Sequence, residues 1–559
     1  MNRQTIFEQL RQKPEVSVLI IGAGINGVGT FRDLALNGVD TLLIDRNDYC
    51  SGVSAASSHM AHGGIRYLEN GEFRLVREAV QERNRMIENA AHIVRPLPTT
   101  IPIFKFWSGL FNAPLKFINL LDRPSERGAF IIKAGLIMYD AFTRSQKTVP
   151  THKMAGRAAS LAKFPRLNPS IMFTATYFDG QILSPERFTV ELVHDAEAEG
   201  PHARALNYAS FAGMNGGKAM IKDELTGETV EVSPKIIINA AGPWIDPVNR
   251  KMGLDKRYIG GTKGSHLVLD HPELRKAIGD NEFFFENKDG RIVLIFPFYD
   301  KLIVGTSDLP IENADDARCT PEEELYFIEL VSRVFPDIKV TPAHIVFRFT
   351  GVRPLEYSKA KTTAQISRDH TIQIDKVASI PVYSLVGGKW TTFRAFAEQI
   401  TDRTLTFLGK TRKADTKTTP IGGGRDYPKT DSARSEWLKK IADEGKISAT
   451  AAANLFDRYG TRGLEVARYL AAGSDAPLKA RPEYSRREME FLVQHESAVH
   501  VDDLLLRRTT LGWLGFASRP LVEELAEITG NVLGWNAEER QAEIDRTIAL
   551  LKDMNGVEL

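Results

Sequence analysis

Between Val16 and Asp45 the chain reads VSVLIIGAGINGVGTFRDLALNGVDTLLID: a β-branched run that stops at glycines, a helical pattern, and a second short apolar run ending in an acid. No other stretch narrows the fold so far. The β-branched run to Ile21 fits a strand, INGVGTFRDLALNG fits a helix, and Thr41 to Asp45 supplies a parallel second strand, which completes a βαβ unit. Gly22-Ala23-Gly24-Ile25-Asn26-Gly27 falls where the first strand meets the helix. Gly22 allows the tight turn, Gly24 lets the backbone approach a pyrophosphate, and Gly27 lets helix and strand pack closely. The helix N-terminus attracts phosphates, and Asp45, about twenty residues on, is placed to hold a ribose hydroxyl pair. The expected ligand is a dinucleotide, with NAD and FAD both compatible with this motif.

Two later stretches favour FAD. Lys235 to Trp244, KIIINAAGPW, is a strand running into small residues and a Pro-Trp turn; after the strand-like VYSLV, Gly387-Gly388 precedes Lys389, Thr391 and Thr392 and another helical pattern. A Rossmann domain for NAD is usually complete in one block, whereas this chain returns to the nucleotide after excursions. Elsewhere, residues 72–95 place Phe73, Val76, Val80, Arg83 and Ile87 at helical spacing, which predicts an amphipathic helix. RIVLIFPF (291–298) and KLIVGTSDLP (301–310) predict antiparallel sheet, Lys410 to Asp431 an exposed linker, and the remainder helices.

Composition removes several classes. With 72 Lys+Arg against 71 Asp+Glu, the net charge of +1 over 559 residues offers nothing to a polyanion, so nucleic acid is not an expected partner. Two cysteines, Cys50 and Cys319, exclude a disulfide scaffold and favour a reducing compartment. No apolar run reaches the ~20 residues of a membrane span, and the first residues lack a signal peptide's apolar region. Residues 103–121, IFKFWSGLFNAPLKFINLL, combine aromatics with Lys105 and Lys116 as an interfacial segment does. His495-Glu496 with His500 imitates a zinc-protease pair, but the five-residue spacing leaves the shared helix face, so no metal is expected. Ser485 with Glu488 reads as a capping box. Arg507-Arg508 is expected to pair with acids.

The motifs SAASSHMAHGGIRYLENGEFRLVREAVQERN, KGSHLV (263–268), GVRPL (351–355), SRDH (367–370), GGKWTTFR (387–394) and YSRREMEFLVQHESAVHVDDLLLRRTTLG (484–512), in this order, resemble the FAD-dependent glycerol-3-phosphate dehydrogenases. The resemblance implies a glutathione-reductase-type FAD-binding Rossmann domain, a substrate domain with an antiparallel sheet, and an all-α C-terminal domain, an α/β plus α+β architecture. The expected division is an FAD-binding domain within residues 1–409 (about 16–100, 180–262 and 345–409), interleaved with a substrate domain (about 101–179 and 263–344), then a linker at 410–431 and a helical domain at 432–559. It further implies oxidation of sn-glycerol 3-phosphate to dihydroxyacetone phosphate, with electrons passing to a membrane quinone. A peripheral position on the cytoplasmic side of the inner membrane and a homodimer accompany that expectation. A four-carbon erythritol phosphate, oxygen as acceptor, and a non-catalytic flavin protein remain open alternatives.

A phosphomonoester needs cations around it, and the matching motifs supply Arg66, Arg353, Arg368 and Lys389, with Tyr67 beside them, as expected substrate-binding residues. Hydride leaves carbon 2 only as the hydroxyl proton is lost, so a neutral base is required; His62 is the first candidate and His266 the second, with Arg353 and Lys389 completing the catalytic set. The expected FAD contacts are Gly22, Gly24, Asn26, Gly27, Asp45 and Arg46 from the first unit. Ser54, Ser57, Ser58, His62, Gly63 and Gly64 follow from the serine-rich loop and AHGG. Ala241, Gly242 and Trp244, then Gly387, Gly388, Lys389, Trp390 and Thr391, complete the set. The sequence departs from the family pattern at His59, Met60, Trp390 and Phe393.

Overall fold

The computed structural model describes residues 2–68, 72–106, 128–143, 146, 148–286, 292–358 and 369–559, with backbone alone for Arg66, Tyr67, Thr143 and Glu286. Its first sheet is built on Glu15–Ile21, buried almost throughout, with Thr41–Ile44 parallel on one side and Thr229–Asn239 parallel on the other. Ala203–Leu206 extends one edge, while Ile380–Gly387, also parallel, and the antiparallel His370–Val377 extend the other. The helix Ile25–Leu36 lies between Pro185–Glu197 and Phe393–Phe407 on one face. Strands far apart in sequence thus deliver their C-terminal ends, and the glycine turns that follow, to one edge of the sheet, where ligands of open α/β sheets bind.

The second sheet has ten strands and is largely antiparallel. Ile292–Phe298 and Lys301–Gly305 form the expected hairpin, and Thr262–Leu269 lies between Lys301–Gly305 and Ile345–Arg353. Val94–Ile103 pairs along its whole length with Phe173–Ile182, which also pairs with Met60–Ala61. That last short pairing joins the chain segment that follows Thr41–Ile44 to the second sheet.

The helix Phe73–Asn89 forms where its spacing predicts, with one exchange. Leu75, Val76, Ala79 and Val80 face the core, Phe73 is 38% exposed, and Arg83 is fully buried. Beyond residue 431 the chain is helical, from Asp431–Gly445 to Ala537–Asn555, and Trp513 packs against Phe347 and Phe349 of the second sheet. The segment 410–431 is mostly exposed or half-buried, with a buried stretch inside it. Ile421 to Gly424 are buried, because only glycines allow it to lie against Glu191, the Tyr459 carbonyl and the Asn89 carbonyl. Ser485 caps its helix by accepting from the Glu488 N–H, but Glu488 turns its carboxylate to Arg458 and Tyr459, so only half of the capping box forms. Arg507 and Arg508 pair with acids, as expected.

Candidate active site

A cavity of about 810 Å³ opens between the two sheets. Its nucleotide end is set by glycine sterics. Gly22 has φ +107°, and a Cβ there would lie 2.7 Å from the Ala240 carbonyl oxygen; a Cβ on Gly27 would lie 1.9 Å from the Gly22 oxygen. Gly27 does not reach the cavity wall: its role is the close seating of helix on strand. Gly24 is the N-cap and supplies no side-chain cap, and the Ile25 N–H is taken by Ser54 Oγ at 2.9 Å. The helix N-terminus faces the cavity with Asn26 Oδ1 buried and lacking a hydrogen-bond partner. An anion-binding turn and an orphaned acceptor fit a dinucleotide.

Asp45 lines the same end, accepting from the Ala23 N–H at 2.7 Å and the Asn47 N–H at 2.9 Å. Loss of solvation pushes its carboxyl up to about 6, against the pull of those two N–H groups. Arg46 lies over the Trp244 ring at 4.7 Å, and both donate to Asp315 Oδ1, at 2.6 and 2.9 Å. Ser51, Ser54, Ser57 and Ser58 line one wall; Ala241, Gly242 and Trp244 line another, and Gly387 to Thr391 a third. Trp390 Nε1 donates to the Ser54 carbonyl at 2.8 Å, tying two of these walls together.

At the other end Arg353, His266, His62 and Lys389 all line the cavity. Arg353 donates to Asp308, to Thr306 Oγ1 and to the Ser307 carbonyl, each at 3.1 Å, and fits only because residue 264 is glycine: a Cβ there would lie 2.3 Å from Nη2. His266 stacks on Phe349 with centroids 4.7 Å apart and planes within 1°, and its Nε2 is 2.8 Å from Ser58 Oγ. Burial, then Arg353 and His59, hold its imidazole well below the ordinary range, so the ring is neutral. The His62 backbone exchanges hydrogen bonds with Thr391 Oγ1, donating at 3.0 Å and accepting at 3.1 Å. The side chains of Arg66 and Tyr67, and all of Arg368, lie outside the described residues.

Gly63 also stands behind the wall. Its N–H donates to Tyr139 Oη at 2.9 Å and to Asp179 Oδ1 at 3.3 Å, and a Cβ would strike Tyr139 Oη at 2.3 Å. Tyr139 donates to Asp179 at 2.5 Å, and the buried Arg83 donates to Asp179 at 3.2 Å and to the Phe178 carbonyl at 2.7 Å. This triad fixes the turn that presents His62. Sequence reasoning missed it, along with Tyr177, Thr306 and Asp308; the legible signal was Asp179-Gly180 inside a strand, where glycine marks close backbone approach. Of the four departures from the family pattern, Met60 and Trp390 line the cavity. His59 is instead caged by Phe298 and Trp513, its imidazole depressed to about 3 by burial, and Phe393 packs on Gly29.

A βαβ glycine turn and two further glycine walls around a cavity that also receives Arg353, Lys389, His62 and His266 from beneath a second sheet fit an FAD-dependent oxidoreductase, and residues 17–403 match the family model described as FAD dependent oxidoreductase. Residues 414–540 match the C-terminal domain of alpha-glycerophosphate oxidase. The glycerol-3-phosphate dehydrogenase of Synechocystis is 31% identical over 96% of this chain and 97% of its own length, and the aerobic glycerol-3-phosphate dehydrogenase of Staphylococcus haemolyticus 30% identical over 91% and 89%. The fold matches the solved glycerol-3-phosphate dehydrogenase of Bacillus halodurans complexed with FAD at a TM-score of 0.75, with 24% identity, covering 99% of this chain and 97% of that one. This chain belongs to the FAD-dependent glycerol-3-phosphate dehydrogenase family.

Proposed function

We propose that this protein oxidises sn-glycerol 3-phosphate to dihydroxyacetone phosphate and passes the electrons to a membrane quinone. The observation that carries the reading is the convergence of Arg353, His266, His62 and Lys389 on the cavity that the dinucleotide turn also lines. Arg353 and Lys389 place two cations where a phosphate dianion is to be held, in a protein whose net charge is only +1; Arg66, Arg368 and Tyr67 join them by resemblance. When bound, FAD supplies the acceptor for the hydride from carbon 2. The chain's part is to take the hydroxyl proton. His62 is the first candidate base, and His266, neutral and held by Ser58, the second. A bound dianion raises the affinity of a neighbouring imidazole for a proton, offsetting the burial that otherwise depresses His266.

Peripheral attachment to the membrane belongs to this reading. No described helix is long and apolar enough to cross a membrane. The helix Ala129–Thr143 exposes Phe130 (56%) and Ile137 (55%) with Lys133 between them, the side-chain mixture of an interfacial helix. Most of 103–121, the segment read as interfacial, lies outside the described residues. A homodimer on the cytoplasmic face of the inner membrane completes the proposal.

The test is anaerobic. Flavin absorbance near 450 nm is followed while the holoprotein is titrated with sn-glycerol 3-phosphate, erythritol phosphates and glycerol. Bleaching by glycerol 3-phosphate alone is expected, followed by recolouring with a soluble quinone faster than with oxygen. Bleaching by none of the three refutes the enzymatic reading, and faster recolouring by oxygen with peroxide release refutes the quinone.

A further inference from the structure

The turn Leu504–Arg508 of the C-terminal domain has π-helical geometry, a rare feature that concentrates at functional positions. It sends two consecutive arginines out of that domain and onto one acid. Asp48 is fully buried, three residues beyond Asp45, and it opens the loop whose residues 51–54 and 56–58 line the cavity. Its carboxylate accepts from Arg508 Nη1 at 2.7 Å and Nη2 at 2.9 Å, from Arg507 Nε at 2.7 Å, and from Asn207 Nδ2 at 2.9 Å. Four donors satisfy the capacity of a carboxylate, and the fork from Arg508 fixes its plane as well as its position. The arginines are held in turn by their own domain. Arg507 donates to Asp502 and Asp503, and Arg508 to the Glu496 carbonyl. Tyr208 bridges back to Asp503 at 2.6 Å.

The other end of the loop is fastened to the nucleotide side. The Cys50 N–H donates to the Ala23 carbonyl, inside the glycine turn, and Ser54 Oγ accepts from the Ile25 N–H. The loop is therefore stretched between the dinucleotide turn and a rigid pair of arginines from another domain. We propose that Arg507 and Arg508 are positioning residues for FAD: the C-terminal domain sets the cofactor wall through Asp48, so that FAD binding and docking of the 504–508 turn are coupled. The proposal rests on the reading of residues 45–58 as a wall of the FAD site. Coupling of this kind is reciprocal, so FAD must tighten the C-terminal turn as much as the turn tightens FAD.

The wild-type full-length protein tests it without any substitution. Hydrogen exchange is compared between the holoprotein and protein stripped of FAD. Restoring FAD is expected to slow amide exchange at least tenfold at residues 46–56 and also at 504–509, and to leave 449–471 unchanged. Protection of 46–56 alone overturns the coupling; protection of neither overturns the coupling and the reading of the wall together. Two variants then separate positioning from general stability. Arg508→Lys keeps the charge and loses the fork; Arg458→Lys weakens the Arg458 pair with Glu488, which lies wholly inside the C-terminal domain. Arg508→Lys is expected to raise the FAD dissociation constant at least tenfold, and Arg458→Lys to leave it within twofold at a matched loss of denaturant midpoint. Equal effects from the two, or none from Arg508→Lys, overturn the proposal.

Discussion

Replacing Gly305 by alanine drives a methyl group into His266. The added Cβ would lie 2.2 Å from Cδ2, 2.8 Å from Cγ and 2.9 Å from Nε2 of the ring, where carbon contacts settle at ~3.5–4.0 Å. The ring must retreat by more than ~1 Å. It has nowhere to go at no cost: it is 2% exposed and stacked flat on Phe349. The 2.8 Å contact with Ser58 is then carried beyond the ~3.2 Å reach of a good hydrogen bond. Overpacking costs ~1–3 kcal/mol of stability. A reacting group misplaced by ~1 Å costs ~100-fold in rate, equivalent to ~2.7 kcal/mol of barrier. Stopped-flow bleaching of the flavin by glycerol 3-phosphate should slow by about that factor while the FAD dissociation constant stays within about threefold. Gly156→Ala, where a Cβ meets nothing within 4 Å, is the control. Bleaching at the wild-type rate in Gly305→Ala, with the ring displacement confirmed by structure, would refute a part for His266 in the proton step.

Gly264→Ala brings a Cβ to 2.3 Å from Arg353 Nη2 and should raise KM for glycerol 3-phosphate ~10-fold or more, the effect of one lost charge-assisted contact; unchanged steady-state kinetics would remove Arg353 from the phosphate clamp. Asp45, with its carboxyl near 6, accepts from a pair of ribose hydroxyls through both oxygens only when ionised, so the FAD dissociation constant should be flat above neutrality. It should rise ~10-fold per pH unit well below 6, and Asp45→Asn should remove that slope. Glu186 is buried with Oε1 unpartnered, and burial raises its carboxyl to about 8. The unfolded acid ionises near ~4.3, so stability is full below that pH, falls by ~1.4 kcal/mol per unit as pH rises, and levels off above 8. Glu186→Gln should lack this decline, gaining ~3–5 kcal/mol on wild type between pH 4.5 and 8, read as urea midpoints at both. Tyr139→Phe removes the shorter of two acceptors for the Gly63 N–H and one donor to Asp179. It should cost ~1–3 kcal/mol in the same assay.

Local physics made part of this molecule legible. The run from Val16 to Ile21 and the glycines after it admit little but a strand, a turn and a helix, and the steric demands on Gly22 and Gly27 are met by atoms of the same βαβ unit and its neighbour strand. Arg353 and His266 were reached only because the ordered motifs resemble a family; nothing in the spacing of GVRPL or KGSHLV says that both side chains point into one cavity. The Arg83, Tyr139 and Asp179 triad was out of reach because its members come from two helices and a strand whose pairing is decided by tertiary packing. Besides Asp179-Gly180 inside a strand, its trace was an arginine at an apolar helical position, where a buried charge demands a buried partner. The buried glycines at 422–424 were misread for the opposite reason: a polar, glycine-rich composition ordinarily marks a surface loop, and here glycine serves close packing.

The strand order of the first sheet also sets a timetable for synthesis. Glu15–Ile21 is flanked by Thr41–Ile44 and by Thr229–Asn239, and Ile380–Gly387 lies one strand further out. At ~5–20 residues per second a ribosome needs on the order of 20–70 s to go from Gly22 to Gly387, and Arg508 emerges later still. Until Thr229–Asn239 emerges, on the order of 10–45 s after Gly22, the Glu15–Ile21 strand keeps one apolar edge unpaired, and from then until Ile380–Gly387 emerges the open edge is that of Thr229–Asn239, a state prone to association with other nascent chains. So many contacts of large sequence separation slow the search for the native sheet. Cofactor capture is therefore a late event in the life of the chain, and the supply of free FAD bears on the yield of folded protein after release from the ribosome, when the last glycine wall has closed.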